Sequence, residues 1–265
     1  MCPSNIKHGG NRNDSDTWVI LDLDDTLVDT SDVYYMARET FLEEMVSLGF
    51  PRSQVLEMFE RTETKNIKQL GIFPERYGKS MKETYHQLCS QKGIKPSKEI
   101  NHLIEKIGGI VIQKIPQPLP GAIPLLEWLY RHYFVLLISR GIDHYQRKKI
   151  EAAGLEHYFD RLLIVDEKSV LTFTEIAAVL GKDIRSAWVI GDSIKSDINP
   201  GIKAGAQCIL YEYRHKKYYW RQEYGKEPEG EYYRAKKLAD IRQIMRFPEK
   251  WPKKNSRLFR KSTRY

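Results

Sequence analysis

The sequence predicts an α/β fold in which a parallel sheet is covered by helices on both faces and an all-helical segment follows the first strand. Three observations point to it. Trp18-Val-Ile-Leu21 is an uncharged run of strand-forming residues that ends in Asp22, Asp24 and Asp25. From Gly121 to Tyr211, helical stretches alternate with short apolar runs, the pattern of a parallel sheet buried on both faces. The roughly 85 residues in between show helical periodicity and no convincing strand.

Taken in order, residues 1–17 are polar, rich in Gly and Asn and without an apolar signal segment, so they read as a disordered lead-in. After the acidic strand, Ser31 or Asp32 is placed to cap a helix from Val33 to about Leu48, with Gly49 as its stop. Pro51 and Ser53 open a second helix. Residues 62–79, broken by Gly71, Pro74 and Gly78, read as a polar loop with at most one short helix. A third helix starts at Ser80, and Pro96 and Ser97 start a fourth. Ile115-Pro-Gln-Pro-Leu-Pro-Gly121 cannot continue a helix and reads as a stiff link. Then come strands at Phe134–Ile138, Leu162–Val165, Ala187–Ile190 and Gln207–Tyr211, each preceded by a helix. The expected division is 18–30 with 117–212 as the core, 31–116 as the helical insertion, 213–246 as a basic, aromatic-rich extension with a helix near Leu238–Ile241 and 247–265 as a flexible basic tail.

Charge is uneven. The segment from Tyr213 to Tyr265 holds 17 Lys/Arg against 6 Asp/Glu, a net of +11, which leaves the rest of the chain at −3. Its interleaved Tyr, Trp, Lys and Arg residues are of the kind that contact single-stranded nucleic acid, so a weak nucleic-acid contact through 213–265 is one expectation. A surface extension packed on the sheet edge is the other. No run approaches the roughly 20 apolar residues that span a bilayer, so no membrane contact is expected. Cys2, Cys89 and Cys208 have no metal-ligand spacing, and a cytoplasmic location is the simple reading.

Ligands of open α/β sheets bind at the carboxyl ends of the strands. Those ends here carry Asp22, Asp24 and Thr26, then Ser139 and Arg140, then Lys168, then Asp192 and Asp197. Asp22 and Asp24 are two apart and lie on one side of an extended chain. Ionised carboxylates in such a place need a partner, and a hard divalent cation suits them.

In this order, Asp22-Leu-Asp24-Asp-Thr26, Ser139, Lys168 and Gly191-Asp192-x4-Asp197 resemble the four motifs of the haloacid dehalogenase-like (HAD) hydrolases, in their phosphatase branch. The resemblance spans about residues 18–211. It implies a Rossmann-like core with the helical insertion as a cap, and a phosphatase acting on a small phosphorylated metabolite. It further implies Asp22 as nucleophile and Asp24 as general acid/base, the latter needing a raised pKa. Mg²⁺ would bind Asp22, the Asp24 carbonyl and Asp192, with Asp197 either a ligand or an orienting residue. Lys168 would neutralise Asp22 and the phosphate, and Ser139, Arg140 and Thr26 would bind phosphate oxygens. A phosphomutase, a polynucleotide phosphatase and a scaffold that keeps only the fold are the alternatives, and dehalogenation is disfavoured by the acidic fourth motif. Asp25 and Asp29 read as helix-start or solvent carboxylates. In the cap, Arg61 and Lys65 are candidates to face the site, and no histidine is assigned a role.

Overall fold

A computed structural model of the chain describes residues 16–213 and 228–254. Six parallel strands form one sheet: β1 (Trp18–Leu21), β2 (Phe134–Arg140), β3 (Arg161–Val165), β4 (Ala187–Gly191), β5 (Gln207–Tyr211) and β6 (Tyr233–Ala235), in the order β3-β2-β1-β4-β5-β6. β1 is central, paired through Leu21 with Leu137 on one side and Ile190 on the other. All four of its residues are buried, which explains their lack of charge.

Successive side chains of a strand face opposite ways, and the two sheet faces accordingly have separate cores. Val19, Leu21, Val135, Leu137 and Ile190 pack with α5 (Ala122–His132) and α9 (Leu238–Arg246). Trp18, Ile20, Leu136, Ile138 and Val189 pack with α7 (Val170–Val179) and, through Ile202, with α8 (Asn199–Ala204). Between β2 and β3 lies α6 (Asp143–Ala152).

The insertion is four helices with their own apolar core: α1 (Thr30–Ser47), α2 (Arg52–Leu70), α3 (Glu75–Gln91) and α4 (Lys98–Gln113). Here the sequence reading needs correction. The cap of α1 is Asp29, whose side chain accepts from the Asp32 N–H at 2.9 Å, rather than Ser31 or Asp32. Residues 62–79 are mostly helical, and only 71–74 form a turn. The polar residues that suggested a loop satisfy one another inside the bundle. Arg76, fully buried, donates to Glu63 at 2.6 Å and to the Gly71 carbonyl at 2.7 Å, and Ser80 donates to Glu63 at 2.6 Å. Mutual hydrogen bonding of this kind is what lets such groups sit in a core, although Arg76 Nε is left without a partner.

The strand β6 bears on the two expectations for the basic segment, and at residues 233–235 the chain packs on the sheet edge. Tyr232 and Tyr233, read as part of an aromatic and basic surface, are buried, and Tyr233 pairs with Ile209 along the sheet edge. Tyr218, Tyr219, Trp220 and Tyr224 of that reading lie outside the described residues, as do the lead-in through residue 15 and the tail from residue 255. Among the described residues, no helix is long and apolar enough to cross a membrane.

Gly78 and Gly108 let α3 and α4 touch backbone to backbone, since a Cβ on Gly108 would fall 2.4 Å from the Gly78 Cα. Gly108→Ala should therefore force the two helices apart and destabilise the chain by about 1–3 kcal/mol. An unchanged urea midpoint would contradict this packing.

Candidate active site

The site lies at the carboxyl edge of the sheet. Asp22 directly follows β1, and its N–H still donates to the Ile190 carbonyl of β4 at 3.0 Å. The chain then turns sharply: the Leu27 and Val28 N–H groups both return to the Leu23 carbonyl, and Asp25 takes a positive φ of 60°. Asp tolerates that conformation better than most residues. Asp25 is not a solvent carboxylate. It is buried and accepts from the Ser31 N–H at 2.8 Å and the Ser31 hydroxyl at 2.6 Å, tying the turn to the start of α1.

Lys168, just beyond β3, is buried and donates to both Asp22 and Asp197, the latter at 2.7 Å. Asp197 is delivered by a π-helical turn, Ile194–Ile198, after β4. Its carboxylate packs against Gly191, where a Cβ would lie 2.3 Å from the Asp197 Cγ, so this position has room only for glycine. The Ser193 N–H holds the other Asp197 oxygen at 3.1 Å. Asp22, Asp192 and Asp197 each bring a carboxylate oxygen within 4.8 Å of the others.

Three carboxylates and one ammonium leave an excess of two negative charges in a largely buried space. Burial raises the Asp22 carboxyl to about 7 against the pull of Lys168, with the neighbouring carboxylates Asp197 and Asp24 adding to the rise. Burial would lower Lys168, but Asp197 and Asp22 outweigh it and hold the ammonium charged. A divalent cation bound by oxygen ligands fits this donor set and its charge.

Asp24 departs from expectation. Burial alone would raise its carboxyl, but Lys149 of α6, with hydrogen bonds from Thr30 and Gln146, brings it below the usual value. In the ligand-free chain Asp24 is thus an ionised partner of Lys149, and not a protonated acid. Gln146 Nε2 lies 2.8 Å from Asp24 Oδ2, 2.7 Å from the Ser139 hydroxyl and 2.8 Å from the Arg140 carbonyl oxygen. Lys149, Gln146 and Thr30 escaped the sequence reading. The available signal was the i, i+3 spacing of Gln146 and Lys149, which puts both on one face of the helix after the second strand.

A cavity of about 180 Å³ opens over these groups, walled by the core on one side and by the helical insertion on the other. Asp22, Asp24, Arg140, Lys168, Asp192 and Asp197 line it. Ser139 is fully buried behind Gln146. Thr26 is fully buried away from the cavity, and its hydroxyl has no hydrogen-bond partner, so it is not in place to hold a phosphate. Nor do Arg61 and Lys65 line the cavity: both are exposed, and Arg61 lies 3.9 Å from Glu57 on the outer face of α2.

The chain belongs to the haloacid dehalogenase-like hydrolases, whose family model matches residues 19–211. It is 25% identical over 202 residues to a glyceraldehyde 3-phosphate phosphatase of Methanothermobacter thermautotrophicus, a match covering 72% of this chain and 84% of the relative. It is 36% identical over 104 residues to the pyrimidine 5′-nucleotidase YjjG of Escherichia coli, covering 37% of this chain and 46% of that protein. Among solved structures, a haloacid dehalogenase-like family hydrolase from Xanthomonas campestris superposes with a TM-score of 0.70 at 22% identity, over 93% of this chain and 95% of that one. A 2-haloacid dehalogenase from Pseudomonas syringae superposes with a TM-score of 0.52 at 20% identity, over 87% and 98%. These last two likenesses concern the fold alone.

If the carboxylates hold a cation, added Mg²⁺ should raise the melting temperature more at pH 8 than at pH 5. The raised Asp22 carboxyl stabilises the fold below about pH 4 and loses that contribution as pH climbs towards 7, and the cation restores it only where the carboxylate is ionised. An equal rise at both pH values, or none, would count against a cation on Asp22.

Proposed function

We propose that the chain is a Mg²⁺-dependent phosphatase that hydrolyses a phosphate monoester of a small metabolite through an aspartyl phosphate on Asp22. The observation that carries this reading is the convergence of Asp22, Lys168, Asp197 and Asp192, from three strand ends, on the floor of one cavity beside Asp24. Curated relatives named as phosphatases, and one named as a 5′-nucleotidase, support it.

In this scheme an Asp22 oxygen attacks phosphorus, and the bond from phosphorus to the ester oxygen breaks. Asp24 gives its proton to the departing alkoxide. In the second step Asp24 takes a proton from water as that water attacks the phosphoryl group and frees Asp22. Two such displacements each have a lower barrier than one direct hydrolysis. A bound divalent cation supplies positive charge that lets an anionic nucleophile meet an anionic ester. Lys168 keeps Asp22 oriented and offsets its charge. Lys149 pairs with Asp24 until the ester's phosphate competes for the ammonium, and release of that pair lets Asp24 take up the proton it must donate. Arg140, which lines the cavity, completes the phosphate end, while Ser139 supports it from behind through Gln146.

A cavity of about 180 Å³ between core and insertion suits a small metabolite. The buried free thiols of Cys89 and Cys208 fit a reducing cytoplasm.

The test is a substrate panel of sugar phosphates, 3′- and 5′-phosphorylated oligonucleotides, p-nitrophenyl phosphate and 2-chloropropionate, with and without Mg²⁺. Inorganic phosphate should appear only with the metal, and Asp22→Asn should lower kcat by about a thousandfold or more. Transfer of the phosphoryl group to a second position of a sugar would favour a mutase. Chloride release, or metal-independent turnover by Asp22→Asn, would overturn the reading.

A further inference from the structure

The half of the cavity that faces the chemistry is crowded with charge, and the half that faces the insertion is not. The wall from the insertion is built from Val33, Ile72, Phe73, Val111 and Ile112, with Pro74 beside them. Thr30 is committed to Asp24. Beyond it, only Tyr34 and Lys114 bring polar side chains from the insertion and its exit, and no carboxylate or amide side chain there lines the cavity. Across from this wall, Ile142 and the ring of Tyr145 add further apolar surface, and Lys148 of the same helix as Tyr145 also lines the cavity. Several of these groups are left open to solvent in the ligand-free chain, among them Ile72 at 43% and Ile142 at 38%.

This contrast bears on what is attached to the phosphate. A polyol ester placed here loses its water and finds few donors or acceptors in exchange, which is costly for each hydroxyl. An apolar ester group gains from covering the same wall. The wall is also held in place. The turn 71–74 that carries Ile72 and Phe73 is clamped through the Gly71 carbonyl by the fully buried Arg76, itself fixed by Glu63. Next to the turn, Glu75 accepts a hydrogen bond from Tyr145 of the core. Phe73 therefore faces the cavity from a braced support.

We propose that the substrate's ester group is apolar, of the size of an aromatic ring, and is selected by the wall around Phe73. This rests on the phosphatase reading above for the phosphate end alone. The chain then discriminates against polyhydroxylated phosphates by leaving their hydroxyls without partners, and not by steric exclusion.

The experiment compares 2-phenylethyl phosphate with glycerol 3-phosphate, both alkyl esters, so that leaving-group acidity does not dominate the comparison. With Mg²⁺, kcat/KM for the phenyl ester should be at least about tenfold higher, mostly through KM. Phe73→Ala should cut that ratio by about tenfold, and Phe73→Leu, which keeps most of the apolar area, should restore much of it. In parallel, calorimetry on the wild-type chain compares 2-phenylethylphosphonate with 2-hydroxyethylphosphonate, neither of which can be hydrolysed. A tenfold tighter Kd for the phenyl compound is expected. That binding preference with no turnover of any ester would sustain the proposal and overturn the phosphatase reading. Phosphate release with equal or better use of glycerol 3-phosphate would overturn the proposal and leave the phosphatase reading standing. A ratio unmoved by Phe73→Ala would also overturn it.

Discussion

A single buried ammonium holds this site together. Lys168 joins Asp22, from the end of the central strand, to Asp197, from the turn after β4. Without it two buried carboxylates would face each other with no counter-charge, a situation that costs several kcal/mol when one partner of a buried pair is removed. The lysine can reach both because β3, β2, β1 and β4 are neighbours in that order and all run parallel, so the carboxyl ends of β1, β3 and β4 open on the same edge. Topology brings the charges near, and Lys168 makes their nearness tolerable. The excess negative charge that remains is the physical basis for expecting a cation beside them.

The core of the fold was legible because it rests on local rules. A four-residue uncharged run had to be a strand buried on both faces, and the alternation of helices with apolar runs had to be a parallel sheet. Tyr233 shows where those rules stop. Its strand is three residues long, sits at an edge and is embedded in basic sequence, so no periodicity marks it. Glu63, Arg76 and Ser80 mislead for a different reason: they are polar in sequence but internal to the helical insertion, and only their mutual pairing permits this. The loop reading of 62–79 rested on its polarity and on Gly71, Pro74 and Gly78, of which only the first two flank the actual turn.

The site divides in the same manner. Asp22, Lys168, Asp192 and Asp197 were readable as ordered strand-end residues, and the fold brings them into one cluster. Thr26 was read from its neighbours in the motif, but the turn points it into the interior. Asp25 was read as a helix-start or solvent carboxylate, and the first of these holds: it is buried and anchors the start of α1 through Ser31. Lys149 and Gln146 belong to no strand end. They reach Asp24 over more than 120 positions of chain, and such contacts come from the three-dimensional path, not from spacing.

The two passages between core and insertion are stitched into one short ribbon. The Asp29 N–H donates to the Gln117 carbonyl and the Leu119 N–H to the Leu27 carbonyl, each at 2.8 Å. Val28, in the middle, bridges to Pro118 on one side and to Asp24 on the other. These bonds couple the two tethers of the insertion to each other and, through Val28, to the backbone at Asp24, so a displacement of either tether would be felt at the other and at Asp24.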